Sequence, residues 1–326
     1  MTEARAVAVV LGADDTDRPP HLEPLTDRIE FRFTGRDGLA AALPGARALL
    51  LWDFFSTAVR EVWPHCGDLE WIHVAAAGVD KLLFPELVAS PVVVTNARGV
   101  FDRPIAEFVL ASVLAHAKLL HETHDLQVRR EWRHRETHTI AGATALVVGT
   151  GAIGREIARL LRAAGMDVRG AGLRPTTGDP DFGTVVSSGD LASAVPWADY
   201  VVNATPLTPA TSGLFDASVF RAMRRTAHFV NVGRGPSVVE DDLVEALRSG
   251  WLDGASLDVF QDEPLSPDSP LWSAPGLVVS PHMSGDVVGW RDTLARQFVD
   301  NAERWLSGKA LVNVVDKELG YVRTPT

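Results

Sequence analysis

Apolar and polar positions along the chain alternate between two patterns. Short, nearly continuous apolar runs that end in Gly, Asn, Ser or Pro predict buried strands, and apolar residues spaced three and four apart predict helices between them. In the first hundred residues the runs 6–11, 29–33, 46–52, 70–75 and 92–95 predict five strands, with helical segments such as 38–43 and 57–62 in several of the gaps. A long, mostly helical segment is expected over 103–131, with Pro104 in its first turn and a charged stretch, 129–136, at its end. Further strands are expected at 145–148, 168–173, 200–205, 227–232, 254–259 and 276–280. Helices are expected at 240–249 and 290–306. Strand and helix alternating in this way predict parallel sheets with helices on their faces.

The fold class expected is therefore α/β, with two Rossmann-like or flavodoxin-like doubly wound parallel-sheet domains and a cleft between them. The last helix should return to the first domain, so that residues 1–97 plus 286–326 make a discontinuous substrate-binding domain and 98–285 a dinucleotide-binding one.

The most informative stretch is 145–174. An apolar strand runs into Gly149, Gly151 and Gly154, and a helix follows in which Ile153, Ile157, Leu160, Leu161 and Ala164 share a face. This is the dinucleotide spacing: Gly149 permits the tight turn, Gly151 lets the backbone approach a pyrophosphate, and Gly154 lets helix and strand pack closely. The helix start, Ala152 and Ile153 included, offers free N–H groups to the phosphates. An NAD site usually carries an acid at the tip of the second strand. Here the strand ends Gly172-Leu173-Arg174-Pro175-Thr176-Thr177. Arg174 can pair with a 2′-phosphate, with Thr176 or Thr177 beside it, so NADPH (NADP+) is expected to be preferred over NADH.

Composition narrows the setting. With 326 residues, 46% of them hydrophobic, the chain can bury two cores. A net charge of −11 argues against general nucleic-acid binding. One cysteine, Cys66, excludes an internal disulfide and fits the cytoplasm. No signal peptide, membrane span or metal-ligand spacing is evident.

Arg234, Glu263 and His282 each follow a predicted strand. Their types suit carbonyl reduction: an imidazolium to protonate the oxygen, a carboxylate to hold the imidazolium, and a guanidinium to bind a carboxylate and polarise the carbonyl. The small-residue loop 75–80 presents backbone N–H groups suited to a substrate carboxylate. Trp52 and Trp290 are candidate pocket walls, with core packing the alternative.

The chain resembles the D-isomer-specific 2-hydroxyacid dehydrogenase family, most closely its NADPH-dependent glyoxylate/hydroxypyruvate reductases. The resemblance rests on 147–154, 203–209 (Asn-Ala-Thr-Pro-Leu-Thr-Pro), 231–235 (Asn-Val-Gly-Arg-Gly), 257–265 (Leu-Asp-Val-Phe-Gln-Asp-Glu-Pro-Leu) and 280–282 (Ser-Pro-His). In the first half it rests on 76–80 and 95–99, with Ala106-Glu107. It implies that Arg234, Glu263 and His282 are catalytic and that Ala77 and Gly78, with Arg234, bind substrate. It also implies that Thr205, Pro206, Thr211, Val232 and Gly233 line the cofactor cleft, and that Asp258 holds the nicotinamide carboxamide. The expected reaction is reduction of a small 2-keto acid, glyoxylate- or hydroxypyruvate-like, by a homodimer that binds neither nucleic acid nor membrane. A cofactor-gated sensor of the corepressor type, or a formate- or phosphite-type dehydrogenase, is the alternative. Residues 283–286 (Met-Ser-Gly-Asp) and 99–105 depart from the family's usual pattern, which leaves the shape of the substrate open.

Overall fold

The computed structural model describes residues 5–323, and among these the chain divides into two compact units. One is 5–101 with 287–323; the other is Asp102–Asp286.

The first unit is built on five parallel strands, β1 (Ala6–Leu11), β2 (Ile29–Thr34), β3 (Ala48–Leu51), β4 (Trp71–Val74) and β5 (Val93–Asn96), in the order β2-β1-β3-β4-β5. Both faces of this sheet are covered, which is why β3 and β4 are apolar at nearly every position and wholly buried. The exception is His73. It is fully buried, with Nδ1 2.8 Å from Thr95 Oγ1, and Trp71 Nε1 donates to the same hydroxyl at 2.8 Å. Phe298 stacks on Trp71 with centroids 5.3 Å apart. Burial pulls the His73 imidazole down to about 3, so it is neutral.

The second unit carries β6 (Thr144–Val148), β7 (Asp167–Gly172), β8 (Thr176–Asp179), β9 (Gly183–Ser187), β10 (Tyr200–Asn203), β11 (His228–Asn231), β12 (Gly254–Leu257) and β13 (Leu277–Val279). Their order is β13-β12-β11-β10-β6-β7-β9-β8, parallel except for β8 against β9. The order turns back between β6 and β10, the switch point at which such sheets bind ligands beyond their carboxyl ends. The helices that matter are α1 (Asp102–Ala117), α2 (Leu120–Val128), α3 (Ala152–Ala163), α4 (Glu240–Arg248) and, in the first unit, α5 (Trp290–Leu306).

Two sequence expectations need correction. The long helix over 103–131 is two helices: Leu119 takes a left-handed conformation (φ 51°) and α2 leaves α1 at 62°. The segment after β7, where no strand is expected before 200, is the antiparallel pair β8–β9. Thr176 and Thr177 are therefore exposed strand residues, and Thr176 Oγ1 bonds the Arg174 carbonyl at 3.3 Å. No single helix among the described residues is long and apolar enough to cross a membrane.

Candidate functional site

The loops leaving β6, β10 and β11 lie against one another because their glycines admit backbone where a side chain would clash. A Cβ on Gly149, which has φ +106°, would come within 2.6 Å of the Ala204 oxygen. One on Gly154 would meet the Gly149 oxygen at 1.9 Å, and one on Gly233 the Thr205 oxygen at 2.7 Å. Gly151 is different, since a Cβ there would have nothing within 4 Å. The turn is thus closed from below and open above, at the amino end of α3. That is the cradle a pyrophosphate fills, and the residues present fit a dinucleotide.

At the tip of β7, Arg174 is exposed and its guanidinium has no hydrogen bond or ion pair among the described residues. The neighbouring cation, Arg155, is committed elsewhere. It pairs with Asp179 at 2.9 Å and Asp181 at 2.8 Å, which holds the Asp179 carboxyl below the usual range. Arg174 is accordingly the unspent positive charge at this strand end.

On the other side of the switch point a buried polar network holds the β11 turn, and sequence reasoning missed it. Asn203 Nδ2 donates to Asn231 Oδ1 (2.9 Å) and Ser237 Oγ (2.7 Å), while Ser237 Oγ donates to the Arg234 carbonyl (2.5 Å). Asn203 Oδ1 accepts from the Thr205 N–H and hydroxyl. The available signal was an Asn closing each of two apolar strands. Thr205 and Val232 are buried and Thr211 is half-buried. Thr211 Oγ1 donates to the Pro206 carbonyl at 2.7 Å, closing the 206–211 turn.

Arg234 stands half-buried between Gly233 and Gly235, its Nη1 donating to the Gly233 carbonyl at 2.8 Å. A Cβ on Gly235 would overlap the Phe260 carbonyl at 1.8 Å, so glycine there lets the Arg234 turn seat directly on the segment leading to Glu263. Glu263 bridges: Oε1 accepts the Phe260 N–H at 3.0 Å and Oε2 lies 2.8 Å from His282 Nδ1. The Glu263–Pro264 peptide is cis.

His282 itself is left-handed, with φ 53°. Its N–H donates to the carbonyls of Asp258 (2.8 Å) and Ser280 (3.0 Å). Asp258, buried at 1% exposure, anchors the whole turn through its carboxylate. Oδ1 accepts the Ser280 hydroxyl (2.7 Å) and the Met283 N–H (2.9 Å), and Oδ2 accepts the Ser284 N–H (3.0 Å). Asp286 follows on the same turn, and burial raises its carboxyl. With Nδ1 engaged by a carboxylate, Nε2 is the ring atom through which this imidazole can exchange a proton with a ligand.

In the first unit, Ala77 and Gly78 are half-buried in the loop after β4. The Ala77 carbonyl accepts from Asn96 Nδ2 at 2.5 Å, and the Ala77 and Gly78 N–H groups make no hydrogen bond among the described residues. Two adjacent unspent N–H groups suit an anion. Among the described residues no group of three His, Cys, Asp or Glu side chains forms a metal site. Burial pushes the Cys66 thiol up to about 11, so it is not a thiolate.

A family model described as the NAD-binding domain of the D-isomer specific 2-hydroxyacid dehydrogenases matches residues 110–284. The chain is 31% identical over 273 residues to a glyoxylate reductase of Korarchaeum cryptofilum, covering 81% of each. It is 28% identical to glyoxylate/hydroxypyruvate reductase A of Serratia proteamaculans, over 80% of this chain and 85% of that one. Among solved structures it is similar to an NADPH-dependent glyoxylate/hydroxypyruvate reductase from Sinorhizobium meliloti in complex with NADP and sulfate, with TM-score 0.82 and 28% identity over 97% of this chain and all of that one. A family protein from Aeromonas salmonicida gives TM-score 0.83 at 30% identity, over 96% of this chain and all of that one. With a cradle for a dinucleotide and a matching NAD-binding domain, the chain is an oxidoreductase and belongs to the D-isomer specific 2-hydroxyacid dehydrogenase family.

Proposed function

We propose that the chain reduces a small 2-keto acid, of the glyoxylate or hydroxypyruvate kind, to the D-2-hydroxy acid with NADPH. The observation that carries the reading is the His282–Glu263 contact of 2.8 Å beside Arg234, all at the carboxyl ends of neighbouring parallel strands. Bound reduced nicotinamide supplies the hydride. His282 gives its Nε2 proton to the carbonyl oxygen as the carbonyl carbon is reduced, so the product leaves as the alcohol and the imidazole is left neutral. Glu263 favours the imidazolium beforehand and fixes the ring. Arg234 draws charge onto the carbonyl oxygen and grips the carboxylate, and the Ala77 and Gly78 N–H groups are two further donors suited to a carboxylate. Thr205, Pro206, Thr211, Val232 and Gly233 border the cofactor, and Arg174 takes the 2′-phosphate of NADPH.

NADPH oxidation with a panel of 2-keto acids tests the reading, using His282→Ala beside the native chain. The expected result is turnover in the native chain and a kcat lower by at least about 100-fold in the variant, as for loss of a general acid, with the NADPH Kd little changed. Parallel loss of kcat and of NADPH binding would remove His282 from the chemistry. Tight NADPH binding with no turnover on any keto acid would favour the sensor alternative.

A further inference from the structure

The carboxylate-binding loop of the first unit has an aromatic neighbour that reduction of the smallest keto acids does not need. Leu51 at the end of β3 pairs with Val74 at the end of β4, so the segments following the two strands leave the sheet side by side, about 5 Å apart. One is the 75–80 loop. The other reads Trp52-Asp53-Phe54-Phe55, its first two N–H groups both bound to the Leu11 carbonyl. Phe54 and Phe55 sit with centroids 4.7 Å apart, and Phe54 meets Trp290 edge-on at 6.2 Å. Trp290 in turn lies 6.1 Å from Phe101. Phe55 is 45% exposed, Phe54 and Trp290 are half-buried, and Trp52 is buried with its indole N–H lacking any partner among the described residues. Lys81, at the end of the carboxylate loop, stands over the Phe55 ring at 4.8 Å and ties the two segments together.

We propose that this cluster seats the substrate's side chain, and that the enzyme prefers 2-keto acids carrying an arylmethyl group on the carbonyl carbon over those carrying hydrogen or hydroxymethyl there. The inference rests on the reduction proposed above and names its substrate class. A 2-keto acid held by its carboxylate at Ala77 and Gly78 directs the group on its carbonyl carbon toward the adjoining segment, where the Phe54, Phe55 and Trp290 rings cluster. A planar ring gains burial and offset or edge-on contacts there, whereas hydrogen or hydroxymethyl gains little of either. The charges on this surface do not favour a second carboxylate. Arg291, over the Trp52 ring at 4.8 Å, is paired with Asp17, and Asp53 and Asp80 belong to the same two loops as Lys81.

Steady-state kcat/KM with NADPH for phenylpyruvate, glyoxylate, hydroxypyruvate and 2-oxoglutarate tests this in the native chain and in Phe55→Ala, Phe54→Ala and Phe55→Tyr. The native chain should favour phenylpyruvate over glyoxylate by at least about 10-fold, which is what one well-placed ring contact supplies together with its burial. The phenylpyruvate-to-glyoxylate ratio should fall at least about 10-fold in Phe55→Ala and return in Phe55→Tyr, which keeps the ring. Because Phe55 is nearly half exposed, its two variants should fold. A native preference for glyoxylate or 2-oxoglutarate, or a ratio unmoved in both alanine variants, would overturn the assignment while leaving the reductase reading intact. No NADPH oxidation with any of the four acids would overturn the reductase reading and this inference with it.

Discussion

Asp258 is the residue whose replacement best separates two accounts of this site. The family resemblance implies that it holds the nicotinamide carboxamide; the geometry commits its carboxylate to the turn that carries His282. Asp258→Asn keeps the size and one acceptor. The remaining carbonyl oxygen can still take the Ser280 hydroxyl and the Met283 N–H, but the new amide presents N–H to the N–H of Ser284, donor against donor. Two charge-assisted bonds become neutral at roughly 1 kcal/mol each, and one buried N–H goes unsatisfied at about 1–3 kcal/mol. Burying a neutral amide rather than a carboxylate recovers part of this, leaving a net loss of about 3 kcal/mol.

Because His282 is held at φ 53°, a conformation that costs a non-glycine residue about 1–2 kcal/mol, the loosened turn should release it. The structure therefore predicts three coupled changes in Asp258→Asn. Amide exchange at Met283 and Ser284 should become fast in the chain without cofactor. The melting temperature of the cofactor-free chain, read by calorimetry, should fall by about 6–12 °C if the second unit melts as one. The kcat should fall by about 100-fold, the equivalent of 3 kcal/mol. If both amides stay protected and the melting temperature moves by less than about 1 °C, the carboxylate does not hold the turn. A selective rise in the NADPH KM would then favour the carboxamide contact instead.

Other perturbations read other parts of the structure. Gly154→Ala drives a Cβ into the Gly149 carbonyl and should cost at least about 1–3 kcal/mol of stability by denaturant titration. Gly151→Ala meets nothing, so it should leave stability within about 0.5 kcal/mol while weakening NADPH binding in a fluorescence titration. Arg174→Asp removes a charge-assisted contact and adds repulsion, and the NADPH-to-NADH ratio of kcat/KM should drop by at least about 10-fold; an unchanged ratio would remove Arg174 from cofactor choice. His73, buried neutral, has its folded value depressed to about 3 from 6.5. The unfolded chain therefore binds the extra proton first, so the stability is fully present above pH 6.5 and is lost as pH falls from there toward 3. The slope is about 1.4 kcal/mol per pH unit, and urea unfolding of His73→Gln against the native chain between pH 7 and 4 should show it flattened in the variant.

Local pattern and distant partnership explain what could and could not be read from the chain. The strands and the Gly149–Gly151–Gly154 turn are legible because each is a consequence of neighbours in sequence: apolar runs demand burial on both faces, and glycine spacing follows from one turn. Arg234, Glu263 and His282 are legible as strand-end residues, while the Glu263–His282 contact depends on β12 and β13 lying side by side, and the seating of the Arg234 turn on Gly235 admitting the Phe260 backbone. The break at Leu119 carries no glycine or proline. It is held by the Lys118 ammonium on the His138 carbonyl and by Arg135 on the Leu119 carbonyl, partners many residues away. In the same way 176–187 reads as turn-rich, because Pro175, Gly178, Pro180 and Gly183 punctuate it. It becomes β8–β9 only because Arg155 and Arg159 on α3 bind Asp179 and Asp181. That pairing has a consequence for cofactor choice. By pairing Arg155 with the carboxylates of the β8–β9 segment, the fold leaves Arg174 without an ion pair among the described residues at the tip of β7, so the cofactor choice proposed for that one residue would depend on a salt-bridge cluster that was not legible.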